Sequence, residues 1–243
     1  MIRRRTYIML TTVLFDLDGT LLPMDQDLFV QTYFKALADC FVPRGYDSRK
    51  LMDAIWDGTT AMVKNDGSQT NETVFWNSFT KHFGPQAVND IPAFEEFYRT
   101  DFRKAQKVCG CTPKAKQIIE LTKSRGFNRI LATNPLFPAI ATEARIRWAG
   151  LEPEDFLFYT TYEDNIHCKP NPDYYRDILK RAHLRPEECL MVGNDVREDL
   201  AAASVGIPVF LLTDCLINPE QKSLREIPHG DFDALAEFLN HIS

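Results

Sequence analysis

Asp16 and Asp18 stand two positions apart where an apolar run, residues 12–17, gives way to Gly19-Thr20-Leu21-Leu22. Residues two apart on a strand share a face. Two carboxylates so close repel each other, and burying either one unpaired is costly. The pair therefore calls for a positive partner. Gly19 permits a tight backbone turn and close approach by a ligand. The D-x-D spacing alone says little. Asp25-Gln26-Asp27 and Asp231-Phe232-Asp233 repeat it at positions that read as solvated helix starts.

Three other segments carry reactive residue types in a similar setting. The apolar run 190–193 ends in Gly193, Asn194 and Asp195, with Asp199 four residues on. Asp195 and Asp199 share a face if a helix begins there. The same pattern also describes an N-capped helix with acids favoured by its dipole. The run 129–133 leads to Thr133-Asn134 ahead of Pro135. A hydroxyl and backbone N–H groups there either hold an anion or simply cap the next helix. Lys169 precedes Pro170 and Pro172, which restrict the chain around it, as a positioned site lysine requires. His167 falls either at the mouth of a site or on the surface. His82, His183, His229 and His241 show no spacing that suggests a metal centre or a triad.

The elements that must position these residues follow from periodicity. Short apolar runs at 12–17, 129–133, 156–160, 190–193 and 209–213 read as buried parallel strands. Helical patterns at about 114–125, 138–149, 172–183 and 197–205 lie between the later runs. Alternating strands and helices predict an α/β fold, a Rossmann-like parallel sheet core with helices on both faces. In such a sheet ligands bind beyond the carboxyl ends of the strands, where the polar residues above fall. Residues 24–108 break the alternation. Aromatic residues recur there at helical spacing (Phe75, Phe79 and Phe83; Phe94, Phe97 and Tyr98), which predicts roughly four or five helices packed on one another. The expected domains are a catalytic core, 1–23 and 109–243, and an inserted α-helical cap domain, 24–108. The polar stretch 64–71 reads as a loop of the insert, and residues 230–243 as a closing helix.

The chain has 243 residues, 44% of them hydrophobic and 26% charged, ample for a real core. A net charge of −6 argues against nucleic acid as a partner. No run reaches the roughly 18 apolar residues of a membrane span, so no membrane partner is expected. The first 15 residues imitate a signal peptide, but Asp16 and Asp18 interrupt the apolar run and no small-residue cleavage site follows. Met9 offers an alternative start to Met1, with residues 1–8 as a lead-in. Six sparse cysteines make no disulfide framework and read as reduced thiols of a cytoplasmic protein. Oligomeric state is not legible.

Taken in order, the four segments resemble the motifs of the haloacid dehalogenase superfamily. Asp16-Leu17-Asp18-Gly19-Thr20 fits the first motif, Thr133 the second, Lys169 the third, and Gly193-Asn194-Asp195 with Asp199 the acidic fourth. The insert lies where that family carries a helical cap of the first type. The resemblance implies a Mg²⁺-dependent phosphatase acting on a small phosphorylated metabolite. Asp16 would be the nucleophile that forms an aspartyl-phosphate, and Asp18 the general acid–base. Thr133, Asn134 and Lys169 would bind the phosphoryl group, and Mg²⁺ and Lys169 would lower the pKa of Asp16. The metal would sit on Asp16, the carbonyl of Asp18 and the fourth motif. That motif usually reads Gly-Asp; here Asn194 intervenes, and Asp195 is preferred over Asn194 because a carboxylate binds Mg²⁺ better than an amide. Asp199 would orient a ligand or Lys169. The superfamily's dehalogenases lack the second aspartate, and Asp18 with Gly19-Thr20 favours a phosphatase over them and over the sugar-phosphate mutases. Phosphoglycolate, a nucleoside monophosphate and a sugar phosphate all fit as substrates, and polar cap loops are expected to choose among them. Alternative readings are a sugar-phosphate mutase and a binding module of the same fold without turnover.

Overall fold

The computed structural model describes residues 10–242. The alternative start at Met9 and the lead-in of residues 1–8 lie outside them. One parallel sheet is formed by β1 (Thr12–Phe15), β2 (Asn128–Leu131), β3 (Cys189–Gly193), β4 (Val209–Leu212) and the two-residue β5 (His229–Gly230). The strand order is β2-β1-β3-β4-β5. Phe15 of β1 is level with Leu131 on one side and Val192 on the other. The chain passes from β1 to one neighbour and later returns to the other, so the order reverses at β1. At such a switch point an open α/β sheet forms a crevice beyond its strand ends. Every residue of β1 and β3 is buried, which is why their sequences show no alternation.

Helices α5 (Pro113–Ser124), α6 (Ala139–Trp148), α7 (Pro172–Ala182) and α8 (Phe232–His241) accompany the sheet. Asn171 caps α7 by accepting from the backbone N–H of Asp173, and Pro172 suits the first helical position because no donor is lost there. The pattern read at 197–205 becomes a turn followed by a 3₁₀ helix, Leu200–Val205. The run at 156–160 differs more. It follows the outer edge of β2 with three hydrogen bonds, among them Leu157 N to Arg129 O at 2.8 Å. Only Tyr159 pairs, opposite Leu131, as an isolated bridge. A tight turn at Pro153–Asp155 precedes it and Leu157 is 62% exposed. The segment thus covers an edge without becoming a sixth strand.

Between β1 and β2 lie α1 (Gln26–Phe41), α2 (Ser48–Val63), α3 (Asn71–Phe83) and α4 (Ile91–Arg99), with shorter 3₁₀ segments. Their aromatic stripes meet: Phe41 stacks on Phe94 at 4.0 Å, and Phe79 and Phe97 are buried. The two further D-x-D sequences prove to be helix starts, Asp25 capping α1 and Asp231 capping α8. The chain enters and leaves this helical region side by side. Met24 bridges Cys109, and Gly110 N–H donates to the carbonyl of Pro23 at 2.6 Å. The polar loop at 64–71 packs against the sheet domain. Asn71 is fully buried, held by Asn65, and its backbone N–H donates to Asn165 O at 2.8 Å. The loop therefore fastens the helices to the sheet domain. No described helix is long and apolar enough to cross a membrane.

Candidate active site

Asp16 leaves the end of β1 at the switch point, its N–H still bonded to Val192 O at 2.9 Å. The chain then turns at Gly19, whose φ is +82°. A Cβ there would strike the Asn194 side chain, so glycine serves both conformation and approach. Thr20 lies beneath the turn. Its hydroxyl is 3.1 Å from Asp16 Oδ2 and 2.9 Å from Asn194 Oδ1. With one proton to donate, it links the β1 loop to the β3 loop.

Lys169 brings a positive charge to Asp16. Its Nζ lies 2.8 Å from Asp16 Oδ1 and 2.7 Å from Asp199 Oδ1, with the side chain fully buried. Burial alone would depress this lysine, but the two carboxylates overcome it and hold its pKa well above the ordinary value. Asp199 is held in turn. Its Oδ2 accepts the backbone N–H groups of Asn194 and Asp195, each at 2.9 Å. Gly193 leaves the room, since a Cβ there would overlap the Asp199 side chain. Asp199 thus holds the Lys169 ammonium in place.

Burial pushes the Asp16 carboxyl up to about 7, against the pull of Lys169. Lysine alone therefore does not deliver the lowered pKa expected for a nucleophile. The surroundings are acid-rich: Asp16, Asp18, Asp195, Glu198 and Asp199 meet two cations, Lys169 and Arg145. Among the described residues no three His, Cys, Asp or Glu side chains converge tightly enough to hold a metal by themselves. The donor set fits a hard divalent ion that takes one or two carboxylates, a backbone carbonyl and water rather than an all-protein cage.

The two fourth-motif residues differ in what they have free. Asn194 uses both ends of its amide, accepting from Thr20 and donating to Cys215 O at 2.7 Å. Asp195 Oδ1 caps the next turn, accepting from Arg197 N at 2.7 Å and Glu198 N at 2.8 Å. The capping pattern read from sequence is therefore present at Asp195, and it engages one carboxylate oxygen only.

Thr133 is buried at the end of β2 and lines the cavity beside Asp16. Its carbonyl accepts the hydroxyls of Thr160 at 2.6 Å and Tyr174 at 2.8 Å, which fix the loop. Asn134 follows Thr133 in the same loop. Its amide accepts from Lys169 N at 3.2 Å and donates to the Glu198 carboxylate at 3.0 Å. Its side chain thus holds the Lys169 backbone and the Glu198 carboxylate. His167 bonds Asp177 at 2.7 Å and packs against Gly67, away from the cavity.

Sequence reasoning missed two charged residues. Glu198 lines the site, half-buried, and is pushed by desolvation up to about 8, with Lys169 opposing. Arg145 of α6 is wholly buried and forms an ion pair with Asp18 Oδ2. The same guanidinium contacts Thr142 Oγ1 and the carbonyl of Ala141, both at 3.3 Å, and stands over the Phe137 ring at 4.4 Å. Asp18 Oδ1 remains, buried and without a partner. No local spacing marks Arg145, which stands 127 residues from Asp18. The helical periodicity that betrays core positions gives no sign when the buried residue is charged.

A cavity of about 310 Å³ opens over Asp16 and Asp18 and runs into the helical region. Its far walls are aromatic side chains of α1, α2, α3 and α4, not the polar loops from which specificity was expected.

The chain belongs to the haloacid dehalogenase-like hydrolases, whose family profile matches residues 10–206. Its helical cap region lies between β1 and β2. A phosphoglycolate phosphatase of Vibrio vulnificus (strain YJ016) is 26% identical over 234 residues, covering 94% of each chain. Pyrophosphatase PpaX of Bacillus cereus (strain G9842) is 24% identical over 199 residues, 81% of this chain and 80% of the other. The crystal structure of a predicted phosphoglycolate phosphatase from Haemophilus somnus 129pt has a TM-score of 0.58 at 21% identity, covering 95% of this chain and 98% of that one. The last is a likeness of fold.

Proposed function

We propose that this hydrolase is a Mg²⁺-dependent phosphatase that cleaves small phosphate monoesters through an aspartyl-phosphate on Asp16. The observation that carries the reading is the pairing of two differently held aspartates at the switch point. Asp16 is clamped by Lys169, and Asp18 is clamped by Arg145 through one oxygen with the other left free. The named phosphatase relatives support it.

In the first step a carboxylate oxygen of Asp16 attacks phosphorus and the bond to the leaving oxygen breaks. Asp18 gives that oxygen a proton through Oδ1, the atom without a partner. In the second step Asp18 takes a proton from water, which attacks the phosphorus of the aspartyl-phosphate and frees both Asp16 and phosphate. Lys169 and Thr133 hold the phosphoryl oxygens with the backbone N–H of Asn134. Mg²⁺, when bound, supplies Lewis-acid neutralisation of the phosphoryl charge. Asp16, the carbonyl of Asp18 and Asp195 would hold it. Asp195 is preferred over Asn194 because its second carboxylate oxygen is not engaged by the cap, whereas both ends of the Asn194 amide are bonded.

Segment 24–108 acts as the cap in this reading, hinged where Met24 meets Cys109 and Pro23 meets Gly110. Closure would keep bulk water from the first step and admit it for the second. The test is release of inorganic phosphate from a panel of monoesters, with Mg²⁺ and with chelator. Release that needs the metal is expected. Folded protein that releases none, or releases it equally in chelator, would overturn the proposal.

A further inference from the structure

The cavity above the reactive aspartates holds no lysine, arginine or histidine among its lining residues. The two nearby cations sit at the aspartate end and neither lines the far wall: Lys169 pairs with Asp16 and Asp199, Arg145 with Asp18. Beyond the aspartates the wall is built from Tyr33, Phe34, Trp56, Trp76, Tyr98 and Phe137. Glu95, half exposed and paired with Arg99 at 3.2 Å, adds a carboxylate at the rim. The other polar groups at that end are neutral. Tyr33 and Tyr98 bond each other's hydroxyls at 2.9 Å, and the buried indole N–H of Trp76 has no acceptor in hydrogen-bonding geometry.

A substrate with a second anionic group would have to place it against aromatic rings and a carboxylate. Burying a charge without a partner is severely unfavourable, and a like charge worsens it. A flat neutral group gains instead from removal of apolar surface and from ring stacking. We propose that this site takes phosphate monoesters whose leaving group is neutral and flat, aryl or similarly apolar, and rejects those that carry a carboxylate or a second phosphate. The proposal rests on the phosphatase reading above and departs from the substrates in the names of its relatives. The cavity, about 310 Å³, is at the low end of the roughly 300–1,000 Å³ of small-molecule sites. That suits one ring system and a phosphoryl group.

The test compares kcat/KM in Mg²⁺ for phenyl phosphate, 4-carboxyphenyl phosphate, phosphoglycolate and inorganic pyrophosphate. Phenyl phosphate is expected to exceed each of the others by about a hundredfold or more, the scale on which unpaired buried polar groups discriminate. The para carboxylate makes a slightly better leaving group, so intrinsic reactivity runs against the expected order. Phe34→Lys puts a cation in the wall and should narrow the gap between the two aryl esters at least tenfold. Equal or faster turnover of the carboxylated ester, phosphoglycolate or pyrophosphate overturns the proposal and leaves the phosphatase reading intact. Absence of turnover with every ester overturns the phosphatase reading. The cavity is then judged by calorimetry with benzylphosphonate and 4-carboxybenzylphosphonate: tighter binding of the first supports the inference, and equal or reversed binding defeats it.

Discussion

Replacing Arg145 with methionine tests whether the buried guanidinium serves Asp18 or only fills space. The side chain is fully buried and makes one ion pair, two hydrogen bonds and a ring contact. Breaking a buried pair by removing one partner costs about 3–5 kcal/mol. The Asp18 side chain is 20% exposed, so water recovers part of this, and we expect about 3 kcal/mol. The catalytic loss has a ceiling. General acid–base catalysis is worth roughly 10²–10⁴, and Arg145 only aims the group that performs it. A fall of about 10² in the rate of ester cleavage is therefore expected, typical of a small misplacement. Single-turnover cleavage of an alkyl phosphate and of p-nitrophenyl phosphate separates the roles. Nitrophenolate departs without a proton, so its cleavage should lose at least tenfold less than that of the alkyl ester. Added guanidinium ion should restore part of the alkyl-ester rate in Arg145→Ala. Equal losses on both esters, or wild-type rates in a folded variant, would refute the positioning of Asp18 by Arg145.

Asp16→Asn should lower turnover by at least about a thousandfold while the fold persists, since the nucleophile is gone; turnover within tenfold of wild type would sink the mechanism. The same variant reports on linkage. Burial raises Asp16 from 3.8 to about 7, so between those values the metal-free native state holds more protons than the unfolded chain, and its stability falls as pH rises. Asp16→Asn should therefore gain in melting temperature relative to wild type between pH 4 and pH 8 in chelator, and parallel pH profiles would contradict the burial cost. Asp195→Ala should weaken Mg²⁺ binding in calorimetry more than Asn194→Ala does; the reverse order would move the ligand to Asn194.

What was legible in the sequence was local. Asp16, Thr133 and Asn194-Asp195 each follow an apolar run, and the parallel sheet turns that shared syntax into a shared place. Strand ends that are distant in sequence become neighbours because β1 lies between β2 and β3. Lys169 was legible for a different reason, the prolines that fix the chain around it. The run at 156–160 was misread because composition does not distinguish a strand from a segment that merely covers an edge. Its exposed Leu157 looks the same in the sequence as a buried one.

The remainder of the site was hidden because it depends on which helix faces which. Arg145 lies on a helix whose other buried residues are small or apolar, and nothing in its neighbourhood separates it from Arg147, which is half exposed at its side chain. The aromatic stripes of the insert were read as core, and they are core. What the sequence does not express is that the packing leaves a gap toward Asp18, so that Tyr33, buried, and Tyr98, half-buried, pack against the helices and also line the cavity. The same side chains thus hold the cap together and define its cavity. A substitution that changes what the site accepts must therefore also repack the helices, and Phe34 and Trp56, the less buried members of that wall, are where selectivity can change at the least cost to stability.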